Sequence, residues 1–276
     1  MFSPGDRPAL MRKAPATGAD TIVFDLEDAV APGRKAEARA AVRDVLSDPE
    51  FDPDAEVCVR VTGTETYRDL EVLVDEGDAA FDAVMFPKAE SADAVEHLGD
   101  QLREHDRRVP VIALIETARG VLHAEGIADA RPTDAVAFGA EDLSADLGAT
   151  RTNEGTEVLY AREKTVAAAA AAGVDAIDTV YTDFGDDAGL AEETRFAATL
   201  GYDGKMAIHP AQVPVINDAF TPAAERVEWA ERVLEARDEA EAEGRAVFSV
   251  DGEMIDAPLI AQAERVLERA GASSDR

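Results

Sequence analysis

Short apolar runs rich in β-branched residues alternate with longer amphipathic stretches along most of this chain, and that alternation restricts the folds open to it. The runs cover residues 21–25, 56–61, 83–86, 109–115, 134–138, 174–180 and 205–208. Helical patterning fills the intervals, as at 34–46, 67–75, 91–107 and 156–172. Strand followed by helix, seven times over, predicts a parallel sheet with helices outside it. The runs lack polar alternation, so the strands are expected to be buried on both faces. An eighth strand would close a (β/α)8 TIM barrel, which takes about 250 residues, and the chain has 276. Met1, Phe2 and Ser3 read as the end of a first strand, either shortened by a start codon assigned late or simply brief. A doubly wound open sheet is the competing architecture.

Beyond the last run come two helical stretches, 222–243 and 258–270. A hairpin-like segment, AVFSVDGEMID, joins them and turns at Asp251-Gly252. The expected organisation is a catalytic barrel over residues 1–221 and a C-terminal helical and hairpin extension over 222–276. That extension could cover its own active site or a neighbouring subunit's.

Charge narrows the partners. Asp and Glu number 58 against 27 Lys and Arg, a formal charge of −31. Such a surface repels nucleic acid and anionic membranes, so neither is expected as a partner. An acidic chain poor in aromatics can be disordered, but apolar runs recur from end to end here. The composition reads as that of a folded, halophilic protein, in which high salt screens the self-repulsion. No apolar run approaches the roughly 18 residues of a membrane span, and MFSPGDRP lacks a basic-then-apolar signal pattern. A cytoplasmic protein is expected. Cys58 stands alone, which excludes an intrachain disulfide and argues against a cysteine metal site.

In a parallel barrel the reactive groups collect where strands end. Those ends carry Asp25-Leu26-Glu27-Asp28, Arg60, Pro87-Lys88, Glu116-Thr117, Gly139-Ala140-Glu141-Asp142 and His209-Pro210. In a chain this acidic, any one of the carboxylates is as readily solvated surface. Arg60 is more telling, because an unpaired guanidinium inside an apolar strand is costly. It meets either a structural carboxylate or an anionic substrate. Lys88 and Lys205 belong to a set of only five lysines, which points to specific tasks, and a barrel-interior ion pair is the plain alternative for Lys205. Glu116 and Asp142 could hold a hard cation with water completing its shell. The ion would polarise the carbonyl of a small oxo acid, and Arg60 would take that acid's carboxylate through paired hydrogen bonds. Such a rim suits retro-Claisen or retro-aldol cleavage. His209 either binds substrate or is a satisfied rim histidine. His97, His105 and His123 fall in helical stretches without ligand spacing and are expected at the surface.

The segments SPGDRPALMRKA, DTIVFDLEDAV, VRV, MFPKAE, ALIETARGV, AFGAEDLSADLG and GKMAIHPAQV, in this order and followed by DGEMIDAP, span nearly the whole chain. Together they resemble the citrate lyase β-subunit-like and malyl-CoA lyase family of the HpcH/HpaI aldolase superfamily. The resemblance implies a barrel assembled as a homotrimer or homohexamer. It also implies Mg²⁺, or Mn²⁺ in its place, on Glu116 and Asp142. Arg60 would bind the oxo-acid carboxylate, Glu27 and Asp28 would shape the metal's surroundings, and Glu141 would sit with the substrate. Phe2, Arg7, Lys13, Ile208 and His209 fall where relatives bind CoA. Asp256 matches a carboxylate that reaches in from the next subunit and exchanges a proton with the thioester α-carbon; an ordinary turn residue is its alternative.

The implied reaction is reversible cleavage of malyl-CoA or β-methylmalyl-CoA into glyoxylate and acetyl- or propionyl-CoA. Citramalyl-CoA cleavage and added thioester hydrolysis are variants on the same site. The other candidates are a citrate lyase β-subunit working on a carrier protein, a CoA-independent aldolase, and a non-catalytic acidic assembly protein.

Overall fold

The computed structural model describes residues 1–76, 79–242, 244–245 and 247–274. Glu243, which ends the expected helix 222–243, and Ala246, which opens the expected hairpin, lie outside the described residues, as do Asp275 and Arg276 of the expected extension.

Eight parallel strands follow one another in chain order. They are β1 (Phe2–Pro4), β2 (Thr21–Asp25), β3 (Glu56–Arg60), β4 (Ala83–Phe86), β5 (Val111–Ile115), β6 (Thr133–Phe138), β7 (Asp175–Asp178) and β8 (Gly204–Lys205). Sequential order excludes a doubly wound sheet, whose strand order reverses at a switch point. The first strand is brief but pairs in full with β2, Phe2 opposite Val23 and Pro4 opposite Asp25. At the other edge the Phe2 N–H donates to Ala207 O at 2.8 Å, which ties β1 to the residues after β8.

Helices lie between the strands: α1 (Pro8–Met11), α2 (Lys35–Leu46), α3 (Thr66–Leu70), α4 (Ala92–Glu104), α5 (Ala118–Leu122), α6 (Ala124–Ala128), α7 (Ala140–Leu147), α8 (Leu159–Ala172) and α9 (Asp187–Leu200). Local chemistry sets their ends. Ser91 caps α4 by accepting from Ala94 N, and Gly173 ends α8 in the left-handed conformation that glycine adopts freely. Pro110 cannot donate to a ladder, so β5 begins after it rather than at the expected 109. The eighth strand stops at Lys205 rather than 208, because the Gln212 side chain takes the N–H groups of Ile208 and His209.

Two compact units divide the chain, Met1–Val215 and Ile216–Arg276, earlier than the expected division after 221. Helix α10 (Gln212–Phe220) runs across that division. The second unit holds α11 (Ala224–Ala242), a hairpin of β9 (Phe248–Val250) and β10 (Glu253–Ile255), and α12 (Ala257–Ser274). Val233, Phe248, Ile255 and Ala263 are among its own buried apolar side chains. Among the described residues no helix is long and apolar enough to cross a membrane.

Strand periodicity decides what reaches the active end. Phe2, Val23, Cys58, Met85, Leu114, Ala137, Ile177 and Met206 share one inward-facing cluster. Successive side chains on a strand alternate faces. The next inward residues towards the C-terminal ends are therefore Pro4, Asp25, Arg60, Pro87, Glu116, Gly139, Thr179 and Ile208.

The same parity sends Asp178 and Lys205 the other way. A barrel-interior ion pair is one of the two expectations for Lys205; the ion pair forms, but between sheet and helices, with Nζ 2.7 Å from Asp178. Arg162 of α8 grips the same carboxylate at 2.9 and 2.7 Å, and Glu193 of α9 stands 3.4 Å from the guanidinium. Lys205 and Arg162 hold the Asp178 carboxyl below its ordinary range although burial pushes the other way. His105 also departs from expectation. It is 6% exposed rather than at the surface, with Nδ1 2.9 Å from Asp75 and its ring against Tyr67.

Candidate active site

A cleft of ≈ 380 Å³ opens at the C-terminal ends of the strands. Its lining includes Pro4, Asp25, Arg60, Glu116, Gly139, Thr179 and Ile208, most of the second inward layer. Apolar Phe2, Leu114, Val180 and Met206 also line it, with Asp28, Glu141 and Asp142 among the acids.

Arg60 ends β3, where an apolar strand carries it inward, and Asp25 sits opposite in register on β2. Asp25 accepts from Arg60 Nε at 2.8 Å and Nη2 at 2.5 Å. The remaining capacity of that carboxylate takes the N–H groups of Glu27 at 2.7 Å and Ala29 at 3.0 Å. Arg60 therefore has its structural carboxylate and still keeps Nη1 available, 3.2 Å from Glu27 and 3.9 Å from Asp28. The Phe2 ring lies 4.9 Å from the guanidinium carbon, a cation–π contact that fixes its plane. Burial works against the charge of Arg60, but Asp25, then Glu27 and Asp28, outweigh it and hold the group above its ordinary pKa.

The second half of the rim gathers acids around one ammonium. Lys88 Nζ lies 3.0 Å from Glu27, 3.7 Å from Asp142 and 4.0 Å from Glu116. Glu116 is 2% exposed, and its Oε1 accepts from Lys88 N at 2.9 Å. Burial, then the nearby Asp142, push the Glu116 carboxyl up to about 7. Burial and Asp28 likewise raise Glu27. Gly139 is required by the same side chain: a Cβ there would stand 2.7 Å from both Cβ and Oε2 of Glu116. Asp142 and Glu141 occupy the first turn of α7, where the helix dipole favours acids. Thr179 accepts from Ala140 N at 3.0 Å and pins the start of that helix. Glu116 and Asp142, the two expected ligands of a hard cation, both line the cleft and face the same ammonium. Among the described residues no group of three or more His, Cys, Asp or Glu is arranged to hold a metal ion.

Several other expected residues stand differently. Glu141 lines the cleft but accepts from Arg151 at 2.9 Å. Phe2 and Ile208 line the cleft, whereas Arg7, Lys13 and His209 are exposed residues outside its lining. The His209 ring stacks on Phe184 at 5.5 Å. Asp256 belongs to the second unit, where its carbonyl accepts from Leu259 and Ile260 at the start of α12. Two supporting residues escaped the sequence reading. Lys35 Nζ donates to the carbonyls of Leu26 and Glu27 and holds the acid loop after β2. Gln212 clasps the chain after β8 and donates to Tyr181 O at 2.8 Å. Lysine scarcity could have flagged Lys35; nothing in the sequence marks Gln212.

A parallel barrel with an acid-and-arginine rim defines an enzyme class that handles small anionic substrates at its strand tips. The sequence pattern of the HpcH/HpaI aldolase/citrate lyase family matches residues 1–210, and the chain belongs to that family. A citrate lyase subunit beta-like protein of Mycobacterium tuberculosis is 41% identical, covering 98% of this chain and 94% of that protein. Human mitochondrial citramalyl-CoA lyase is 35% identical, over 98% of this chain and 84% of that enzyme. Among solved structures, CitE from M. tuberculosis in complex with magnesium, acetoacetate and coenzyme A superposes with a TM-score of 0.82 at 42% identity. That match covers 98% of this chain and 96% of CitE.

Proposed function

We propose that this carbon–carbon lyase of CoA esters cleaves malyl-CoA or β-methylmalyl-CoA to glyoxylate plus acetyl-CoA or propionyl-CoA, and catalyses the reverse condensation. The observation that carries the reading is the convergence of Glu116, Asp142 and Arg60 on one cleft with an apolar floor. Glu116 and Asp142 would hold Mg²⁺, or Mn²⁺ in its place; two carboxylates with open positions suit an ion that keeps several waters. Bound there, the ion supplies Lewis-acid polarisation of the substrate's oxygen.

The chain's own residues do the rest. Arg60 Nη1 exchanges its contacts with Glu27 and Asp28 for the carboxylate of the oxo acid, its plane already fixed by Asp25. Leu114, Val180 and Met206 keep water from the reacting carbons. Cleavage passes the proton of the 3-hydroxyl to a rim carboxylate, Asp28, which lines the cleft. It forms the C=O of glyoxylate, breaks the C2–C3 bond and leaves the electron pair on the thioester α-carbon. Asp256 of a neighbouring subunit delivers a proton to that carbon. Phe2, Arg7, Lys13, Ile208 and His209 would follow the CoA chain. This arrangement requires an oligomer, a homotrimer or homohexamer, with residues 222–276 covering the next subunit's site.

A second reading, citramalyl-CoA cleavage to pyruvate and acetyl-CoA, has in its favour the human relative named for that activity. One methyl group separates the two substrate sets, worth about 1–3 kcal/mol of discrimination. The test is product analysis by mass spectrometry at high salt with Mg²⁺, each CoA ester offered in turn. Glyoxylate from malyl-CoA is the expected result, lost in Asp256→Asn. Pyruvate from citramalyl-CoA alone would move the assignment to the second reading, and no cleavage of any ester would refute both.

Gly139→Ala offers an independent check. The new Cβ forces Glu116 aside, so Mg²⁺ affinity by calorimetry should fall about tenfold, in line with the loss of a supporting contact around a metal. An unchanged affinity would remove Glu116 from the ligand set.

A further inference from the structure

We infer that the Lys88 ammonium is a built-in counter-ion of the acid cluster, holding Glu27, Glu116 and Asp142 together in the metal-free protein and giving up that role when the divalent ion binds. This rests on the metal reading above and adds to it a residue that the reading does not use.

The geometry is specific. Three carboxylates, Glu27 after β2, Glu116 after β5 and Asp142 in the first turn of α7, all fall within 4.0 Å of Lys88 Nζ. Arg60 is already committed to Asp25 through two nitrogens, and its third faces Glu27 and Asp28. Without Lys88 the Glu116 and Asp142 end of the rim would carry uncompensated negative charge, and like charges this close repel strongly where burial reduces screening.

The backbone points the same way. Lys88 has φ of 50°, in the left-handed region that non-glycine residues seldom occupy. That conformation directs its N–H to Glu116 Oε1 at 2.9 Å. Main chain and side chain of one residue therefore serve the same carboxylates. Glycine would fit the backbone with less strain, so what lysine contributes here is its ammonium. The side chain is 45% exposed, which leaves it room to swing outward without disturbing the packing.

An ion and an ammonium that share carboxylates compete for them. Removing the ammonium should therefore tighten the ion's binding, the opposite of what losing a merely structural lysine would do. At a half-exposed site in salt the effect is about tenfold.

The experiment titrates Mg²⁺ into the full chain by calorimetry at fixed pH and salt, and follows thermal unfolding with and without the ion. In Lys88→Met, the Mg²⁺ Kd should drop about tenfold relative to the unaltered protein, the metal-free Tm should fall, and Mg²⁺ should restore it. Lys88→Arg keeps the charge and should return both quantities towards the original. Equal or weaker Mg²⁺ binding by folded Lys88→Met overturns the counter-ion role and leaves the metal reading standing. If the unaltered protein binds no Mg²⁺, both fall together. Should the methionine variant fail to fold, Lys88→Gly, which relaxes the left-handed backbone, is titrated in its place with the same two outcomes.

Discussion

Exchanging Asp25 for asparagine should lower kcat/KM for the CoA ester by about a hundredfold or more, most of it through KM. Asp25 is 1% exposed and serves four donors: Arg60 Nε, Arg60 Nη2, Glu27 N and Ala29 N. An asparagine keeps one acceptor oxygen and turns an NH₂ towards at least one of those donors. The guanidinium then loses its two-point seat, and nothing fixes Nη1 at the position from which it meets a substrate carboxylate. Breaking a buried ion pair in this way costs about 3–5 kcal/mol, so the variant should also unfold at lower temperature. Arg60→Lys should share the kinetic defect, since an ammonium cannot make the paired contact. Its stability loss should be smaller, because Asp25 keeps a cation. Steady-state kinetics and thermal unfolding of both variants test the assignment. A kcat/KM for Asp25→Asn within about threefold of the original would show that Arg60 needs no such seat.

The parts of this site that were legible in the sequence are those whose chemistry stands out against their surroundings. Strands buried on both faces must be apolar, so the barrel rhythm could be read directly, and Arg60 was conspicuous because it interrupts such a run. Asp25 was harder, being one acid among 58 acidic residues. Its choice as the partner of Arg60 follows only from register, which sets the two opposite each other on β2 and β3. Lys205 shows the same limit from the other side. Its burial could be anticipated, but which face of the sheet it takes depends on Met206 being the inward residue. The helical setting of His105 was visible, whereas its burial depends on Asp75 and Tyr67, which approach from another helical segment. Gln212 exposes the broadest gap. A polar residue opening a helix is ordinarily solvated, and its grip on Ile208, His209 and Tyr181 exists only once the chain after β8 has folded back.

Glu116→Gln should weaken Mg²⁺ binding by about a hundredfold and cleavage by about a thousandfold, and it should also flatten the pH dependence of ion binding. Burial and Asp142 raise this carboxyl from the ordinary 4.5 to about 7. Between those values the metal-free folded protein holds a proton that the unfolded chain has released. Stability from this group is therefore complete below 4.5 and declines as pH rises through about 7. The ion needs the carboxylate, so binding must expel that proton. Apparent Mg²⁺ affinity at pH 6 should then be about tenfold weaker than at pH 8, with close to one proton released per ion at the lower pH. Calorimetry in two buffers of different ionisation enthalpy counts that proton directly. An affinity that stays level from pH 8 to pH 6, or a Glu116→Gln variant that binds the ion as tightly as before, would mean that the divalent site lies elsewhere on the rim. In that event the ammonium of Lys88 would be neutralising a purely structural cluster, and Arg60 would be the cleft's chief claim on an anionic substrate.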